Sequence, residues 1–176
     1  MENKISKSLS IIKNSLQEYS ETFFACSFGK DSIVVLDLLL RTHPKIKVVC
    51  IDTSYEFPET LSFANKVVKE KSLVFEWVRP SKEEVSEIEK KYGDEQVINE
   101  QYKCCEMKIP AIKSFLNNNN YDAWITGLRR DETPFRKNMT HVEKGTVTKI
   151  NPILDWTEKD VWEYINNNSL EVHPLY

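Results

Sequence analysis

Glycine is scarce in this chain: four in 176 residues, at positions 29, 93, 127 and 145. Gly29 has no glycine close by, so neither G-x-x-x-x-G-K-[ST] nor G-x-G-x-x-G occurs. That excludes the two glycine-built nucleotide turns, the Walker loop and the dinucleotide turn. Long apolar runs are missing as well. The longest, residues 33–40, is interrupted by Asp37 and falls well short of the roughly 20 residues a membrane-spanning helix needs. The first twenty residues are amphipathic, with no continuous apolar core and no small-residue cleavage site. They do not read as a signal peptide, and a cytoplasmic protein is expected. An excess of positive charge is also absent. The net charge is −3, which argues against a surface that coats nucleic acid. An anionic ligand must then be met by a local cluster of donors.

Cysteine is limited to four residues. Cys26 and Cys50 lie in apolar runs that read as buried strands, so both are expected as small core residues. Cys104 and Cys105 are adjacent. A disulfide between neighbours is strained, and in a reducing compartment the pair reads as thiols, reactive groups or metal ligands.

Within this ordinary soluble composition, residues 23–32, FFACSFGKDS, carry the most information. An apolar run ends in Ser-Phe-Gly-Lys-Asp-Ser and IVVLDLLL follows at once, which predicts a strand, a tight turn and a helix start. Such a turn aims backbone N–H groups and a helix N-terminus at one spot, where an anion is favoured. Gly29 permits close backbone approach. Lys30 adds a point charge, and Ser27 and Ser32 add hydroxyls. The same strand–turn–helix pattern is also compatible with an ordinary connection.

Strands are predicted near residues 22–27, 46–51, 73–78, 122–126 and 146–151, alternating with helices. Helices are expected over 4–19, 31–41, 58–71, 81–93 and 103–116, and after a Thr157 cap paired with Asp160. Pro110 should mark an N-terminal turn or a kink. The alternation predicts a single α/β domain over residues 1–176, with a doubly wound parallel five-stranded sheet. Ligands of such sheets sit at the carboxyl ends of strands. Residues 27–32, 52–58 and 127–136 each follow a strand, so three loops are expected to converge on one crevice. The last, GLRRDETPFR, holds three arginines in ten residues, planar forks suited to phosphate or sulfate. Asp131 and Glu132 are expected to position those arginines. Trp156 and Trp162 read as core or wall residues.

Three blocks give a specific resemblance: CCEMKIPAIKSFL, DAWITGLRRDETPFR and NPILDWTEKDVWEYINNNSLEVHPLY. Together with the Ser27 loop, which resembles the S-G-G-K-D-S turn of PP-loop enzymes, they look like the phosphoadenylylsulfate (PAPS) and adenylylsulfate (APS) reductase family. Phe28 stands where that turn usually has its first glycine. The resemblance implies an adenine nucleotide α-hydrolase-like fold and reduction of activated sulfate to sulfite. A cysteine attacks the substrate sulfur, and thioredoxin or glutaredoxin then releases sulfite. It implies that Ser27, Gly29, Lys30, Asp31 and Ser32 hold phosphate, with Asp52 and Thr53 near the adenosine. Gly127, Leu128 and Arg129 would frame adenine and ribose, and Arg130 and Arg136 would meet phosphate or sulfate.

Cys104 and Cys105 match the first half of a four-iron four-sulfur site in the cluster-bearing branch. The second C-x-x-C pair and the terminal nucleophilic cysteine do not occur in these 176 residues. The expectation is therefore a chain, C-terminally incomplete, that binds nucleotide, holds no stable cluster and releases no sulfite. An ATP-using reading, FAD synthetase-like or sulfate adenylyltransferase small-subunit-like and requiring Mg, is favoured by Lys30-Asp31-Ser32. A non-catalytic nucleotide-binding core is the third reading. No membrane or nucleic-acid partner is expected, and homodimerisation stays open.

Overall fold

The computed structural model describes residues 1–93 and 106–176. Its strands are β1 (Thr22–Ala25), β2 (Lys47–Ile51), β3 (Val74–Val78), β4 (Ala123–Ile125), β5 (Val142–Glu143) and β6 (Thr148–Ile150). They form one sheet in the order β3-β2-β1-β4-β6-β5. Five strands are parallel, as expected. The five-strand count needs correction, because β5 pairs antiparallel with β6 through Val142↔Ile150 and Glu143↔Lys149. A two-residue strand is too short to leave an alternating pattern in sequence.

The helices are α1 (Glu2–Glu18), α2 (Lys30–Leu40), α3 (Pro58–Glu70), α4 (Lys82–Tyr92), α5 (Lys108–Asn117) and α6 (Glu158–Asn167). Pro110 lies in the first turn of α5, where its missing N–H breaks no intrahelical bond. The part of the expected 103–116 helix before residue 106 lies outside the described residues. Thr157 caps α6 reciprocally: its hydroxyl accepts the Asp160 N–H at 3.2 Å, and the Asp160 carboxylate accepts the Thr157 N–H at 2.6 Å. Ser81 and Glu84 do the same for α4.

Phe23 and Phe24 explain why β1 is central. Successive strand side chains point to opposite faces, and both rings are fully buried. Phe24 joins Val48, Ile125 and Ile150 against α1, α2, α3 and α6. Phe23 joins Val49 and Val78 against Ala111 and Phe115 of α5. A strand buried on both faces needs helices on both faces, which is the parallel α/β arrangement. Seven of the eleven residues of α2 are buried, from Ser32 to Leu39. It is the innermost helix, and its N-terminus emerges at the carboxyl end of β1. The strand order reverses between β1 and β4, so that end is the topological switch point. No helix among the described residues is long and apolar enough to cross a membrane.

Candidate nucleotide site

After β1, the Cys26 N–H still donates to the Val49 carbonyl at 2.8 Å, and the chain then turns. The turn is made by Phe28, which adopts φ 57. A non-glycine residue in the left-handed region costs about 1–2 kcal/mol. The offset is burial: Phe28 is fully buried, with its ring edge-on to Phe75 at 5.8 Å. The conformation that glycine adopts freely is therefore held here by a core aromatic.

Gly29 is the N-cap of α2, with φ −70. The N–H groups of Lys30, Asp31 and Ser32 follow in the first turn and have no acceptor within the helix. Ser27 and Ser32 hydroxyls lie 3.0 Å apart, and the Ser32 hydroxyl also accepts the Ser27 N–H at 3.3 Å. The Lys30 N–H donates to the Tyr176 hydroxyl at 3.3 Å. That hydroxyl would sit 3.0 Å from a Cβ placed on Gly29. The Lys30 ammonium lies 3.3 Å from Asp31, 3.7 Å from Glu158 and 5.3 Å from the centre of the Tyr176 ring.

Two cavities adjoin this turn. One, of about 120 Å³, is mainly apolar and runs between the ends of β1, β2 and β3, walled by Cys26, Cys50, Trp77, Glu56, Thr60 and Lys108 among others. The second, of about 260 Å³, is lined by Ser27 and Gly29 on one side and His173, Leu175 and Tyr176 on the other. Both share Ser27, Glu56 and Thr60. Lys108 is 3.4 Å from Glu56 at the wall. His173 is anchored by a 2.9 Å hydrogen bond between Nε2 and the Thr60 hydroxyl. Burial, aided by the Glu56 carboxylate, pushes the Cys50 thiol up to about 12. Burial, then Cys50, raises Cys26 as well. Both are thiols rather than thiolates, in keeping with their expected core role.

Asp52 is buried and engaged twice. Its carboxylate accepts the Ser54 N–H and the Arg79 Nε–H, each at 2.8 Å. Thr53 is fully buried and donates to Glu56 at 3.4 Å. Neither residue lines either cavity.

The arginine loop is built differently. Gly127 packs against α2: a Cβ there would meet the Ser32 nitrogen at 3.1 Å and the Asp31 carbonyl carbon at 3.3 Å. The Leu128 N–H donates to the Thr126 hydroxyl at 3.3 Å. Arg129 is buried, its Nε donating to Asp31 at 2.6 Å and its Nη1 to Asp131. Arg130 binds Asp155 and donates to the Met139 carbonyl at 2.8 Å. Arg136 binds Glu132. The carboxylates Asp131 and Glu132 hold arginines as expected. No residue of 127–136 lines either cavity. Of the expected site residues, Ser27 lines both and Gly29 the larger. The structure brings Gly127 and Arg129 against the first turn of α2.

Glu56, Thr60, Lys108, His173 and Tyr176 wall the site without having been singled out from sequence. Glu56 fell in the expected 52–58 loop, and Lys108, His173 and Tyr176 fell in blocks that carry the resemblance, while Thr60 lay in neither. Trp156 is buried and donates to the Ser8 hydroxyl at 3.0 Å, a core role as expected. Cys104 and Cys105 lie outside the described residues. Among the described residues, no group of three or more His, Cys, Asp or Glu side chains is arranged to hold a metal ion.

The phosphoadenosine phosphosulfate reductase domain matches residues 21–176. The chain belongs to this family. An adenosine 5′-phosphosulfate reductase of Geobacillus kaustophilus is 31% identical over 99% of this chain and 76% of its own length. Among solved structures, a PAPS reductase from Candida auris in a phosphate complex superposes with a TM-score of 0.75, at 21% identity, over 96% of this chain and 83% of that one. An FMN adenylyltransferase from Candida glabrata gives 0.74 at 20% identity, over 99% of this chain and 59% of that one. The reductase and the adenylyltransferase share the family fold.

Proposed function

We propose that this chain is the nucleotide-binding body of a sulfonucleotide reductase, acting on APS or PAPS. The observation that carries the reading is the anion cradle at α2 opening beside an apolar cavity, in a chain of this family. The turn formed by Ser27, Gly29, Lys30 and Ser32 offers first-turn amides and hydroxyls to a phosphate. The cavity beside it offers apolar walls to a base. Reduction of such a substrate is a displacement at sulfur. A thiolate attacks, the sulfur–oxygen bond to phosphate breaks, and an adenosine phosphate leaves. A thioredoxin-type dithiol then reduces the thiosulfonate, giving sulfite and a disulfide. Neither Cys26 nor Cys50 fits the attacking role, because burial keeps both protonated.

An iron–sulfur cluster of the four-thiolate kind takes four thiolates. Cys104 and Cys105 would supply two, and the protonated core cysteines do not fit as the others. No step is routed through a cluster. Iron counted per chain after anaerobic reconstitution tests that side of the reading.

Calorimetry with APS, PAPS, adenosine and ATP with magnesium tests the substrate class. Either sulfonucleotide should bind at least about tenfold more tightly than adenosine, given charge-assisted hydrogen bonds to its phosphate. If magnesium-ATP binds far more tightly than both, the ATP-using reading favoured by Lys30-Asp31-Ser32 replaces this one. Sulfite release in the presence of thioredoxin tests the reaction.

A further inference from the structure

We propose that Arg129 is a positioning residue for the anion cradle and makes no contact with the ligand. This rests on the reading that α2's first turn holds the phosphate of an adenine nucleotide.

Two independent contacts carry it. The Arg129 guanidinium is buried, with Nε on the Asp31 carboxylate at 2.6 Å and Nη1 on Asp131. Two residues earlier, Gly127 lies against the backbone of Asp31 and Ser32, where a Cβ would come within 3.1 Å of the Ser32 nitrogen. One loop thus grips both the carboxylate and the backbone of the same two residues of α2. Those residues supply cradle amides and the Ser32 hydroxyl. The grip extends to a second helix. Asp131 accepts the Glu158 N–H at 3.1 Å, at the start of α6. The Arg129 N–H donates to Glu132 at 2.8 Å, closing the turn on itself. Two carboxylates hold the Nε and Nη1 donors of Arg129, and the residue is 3% exposed. Giving phosphate the bidentate contact that an exposed arginine gives would mean displacing one of them.

The test is a double-mutant cycle read as preference for AMP over adenosine. The variants are Arg129→Gln, Asp31→Ala and both together. Positioning predicts that Arg129→Gln lowers the preference by about tenfold, the scale of one hydrogen bond to a charged group. In the Asp31→Ala background the same change should do almost nothing, because the arginine then has no α2 side chain to act through. Adenosine affinity should move less than about twofold, since the base does not touch the cradle.

A direct phosphate contact predicts different results. Asp31→Ala would then free Arg129 and tighten AMP binding, and Arg129→Gln would cost as much in that background as in the parent. Either result overturns the proposal. A parallel fall in adenosine and AMP affinity also overturns it, because it marks a general loss of structure. If thermal melting shows Arg129→Gln unfolded, Arg129→Lys carries the same comparison, keeping the charge without the fork. A parent protein with no preference for AMP over adenosine refutes the underlying site reading instead, and is recognisable before any variant is made.

Discussion

Residues 27–32 present amides and hydroxyls, while residues 129–136 present guanidinium groups already held by carboxylates. Both loops leave the carboxyl end of a central strand, yet they are built for opposite ends. The first pairs its one lysine with Asp31 and Glu158 as well, but keeps amides and hydroxyls at a helix N-terminus, where the helix dipole favours negative charge. The second spends its charge internally: Arg129 on Asp31 and Asp131, Arg130 on Asp155, Arg136 on Glu132. A run of arginines in sequence therefore need not be a run of free cations.

The comparison inside the arginine loop is broken most severely by truncating its buried member. Arg129→Ala leaves Asp31 and Asp131 without their shared partner, and removing one side of a buried ion pair costs about 3–5 kcal/mol. Arg130 is about a third exposed, and Asp155 keeps Lys7 and His141 when it is lost. Arg130→Ala should cost about 1 kcal/mol or less. Urea denaturation of the two variants measures the contrast. Equal losses would mean that the neighbouring arginines are structurally equivalent.

The first loop is sharpened by Phe28. Phe28→Ala removes a buried ring and should cost about 3–5 kcal/mol. Phe28→Gly removes the same ring but also relieves the left-handed backbone, so it should be the more stable of the two by about 1 kcal/mol. In most buried positions glycine is the worse replacement. The reversed order, read from chemical denaturation midpoints at matched slopes, is diagnostic of φ 57 at this residue. Alanine proving more stable than glycine would show that the turn relaxes once the ring is gone.

Sequence made the framework of this comparison legible, but not its wiring. Phe23 and Phe24, VVCI in β2 and the Thr157–Asp160 box announce their elements because each signal is local. The apolar run of α2 placed its N-terminus correctly for the same reason. Arg129 and Asp31 stand 98 residues apart, and nothing in either local pattern tells the partner. Gly127 read as room for a base, yet its missing side chain admits the backbone of α2. Thr60 walls the cavity from a helix whose sequence looks ordinary, and Glu56 and Lys108 do so from segments that sequence flagged without giving those two residues a place in the site. β5 is two residues long and is made by its neighbour β6, not by its own pattern.

The smallest expected effect lies on the far side of the arginine loop, where Asp155 gathers Lys7, His141 and Arg130. The hydrogen bond from Lys7 holds its carboxyl well below the usual carboxylate range; burial opposes this, and His141 and Arg130 add to the lowering. Asp160 behaves similarly. Burial works against its charge, but hydrogen bonds from Lys4 and Thr157 bring it down to about 2. A carboxyl depressed in the folded state adds stability above its unfolded value, about 3.9. That contribution is lost as pH falls through the folded value. Acid should therefore weaken the fold progressively below about pH 4. Asp155→Asn should remove one share of this. The variant should be less stable than the parent near neutral pH, by of order 1 kcal/mol, because Asp155 and Lys7 are 34% and 55% exposed and solvent screens their pairing. The difference should shrink towards about pH 2, where the parent's carboxylate begins to take up its proton. Raising the salt to about 1 M should shrink it at neutral pH as well. Denaturant titrations across that range, in low and high salt, measure both trends. A penalty independent of pH and salt would assign Asp155 a packing role in place of an electrostatic one.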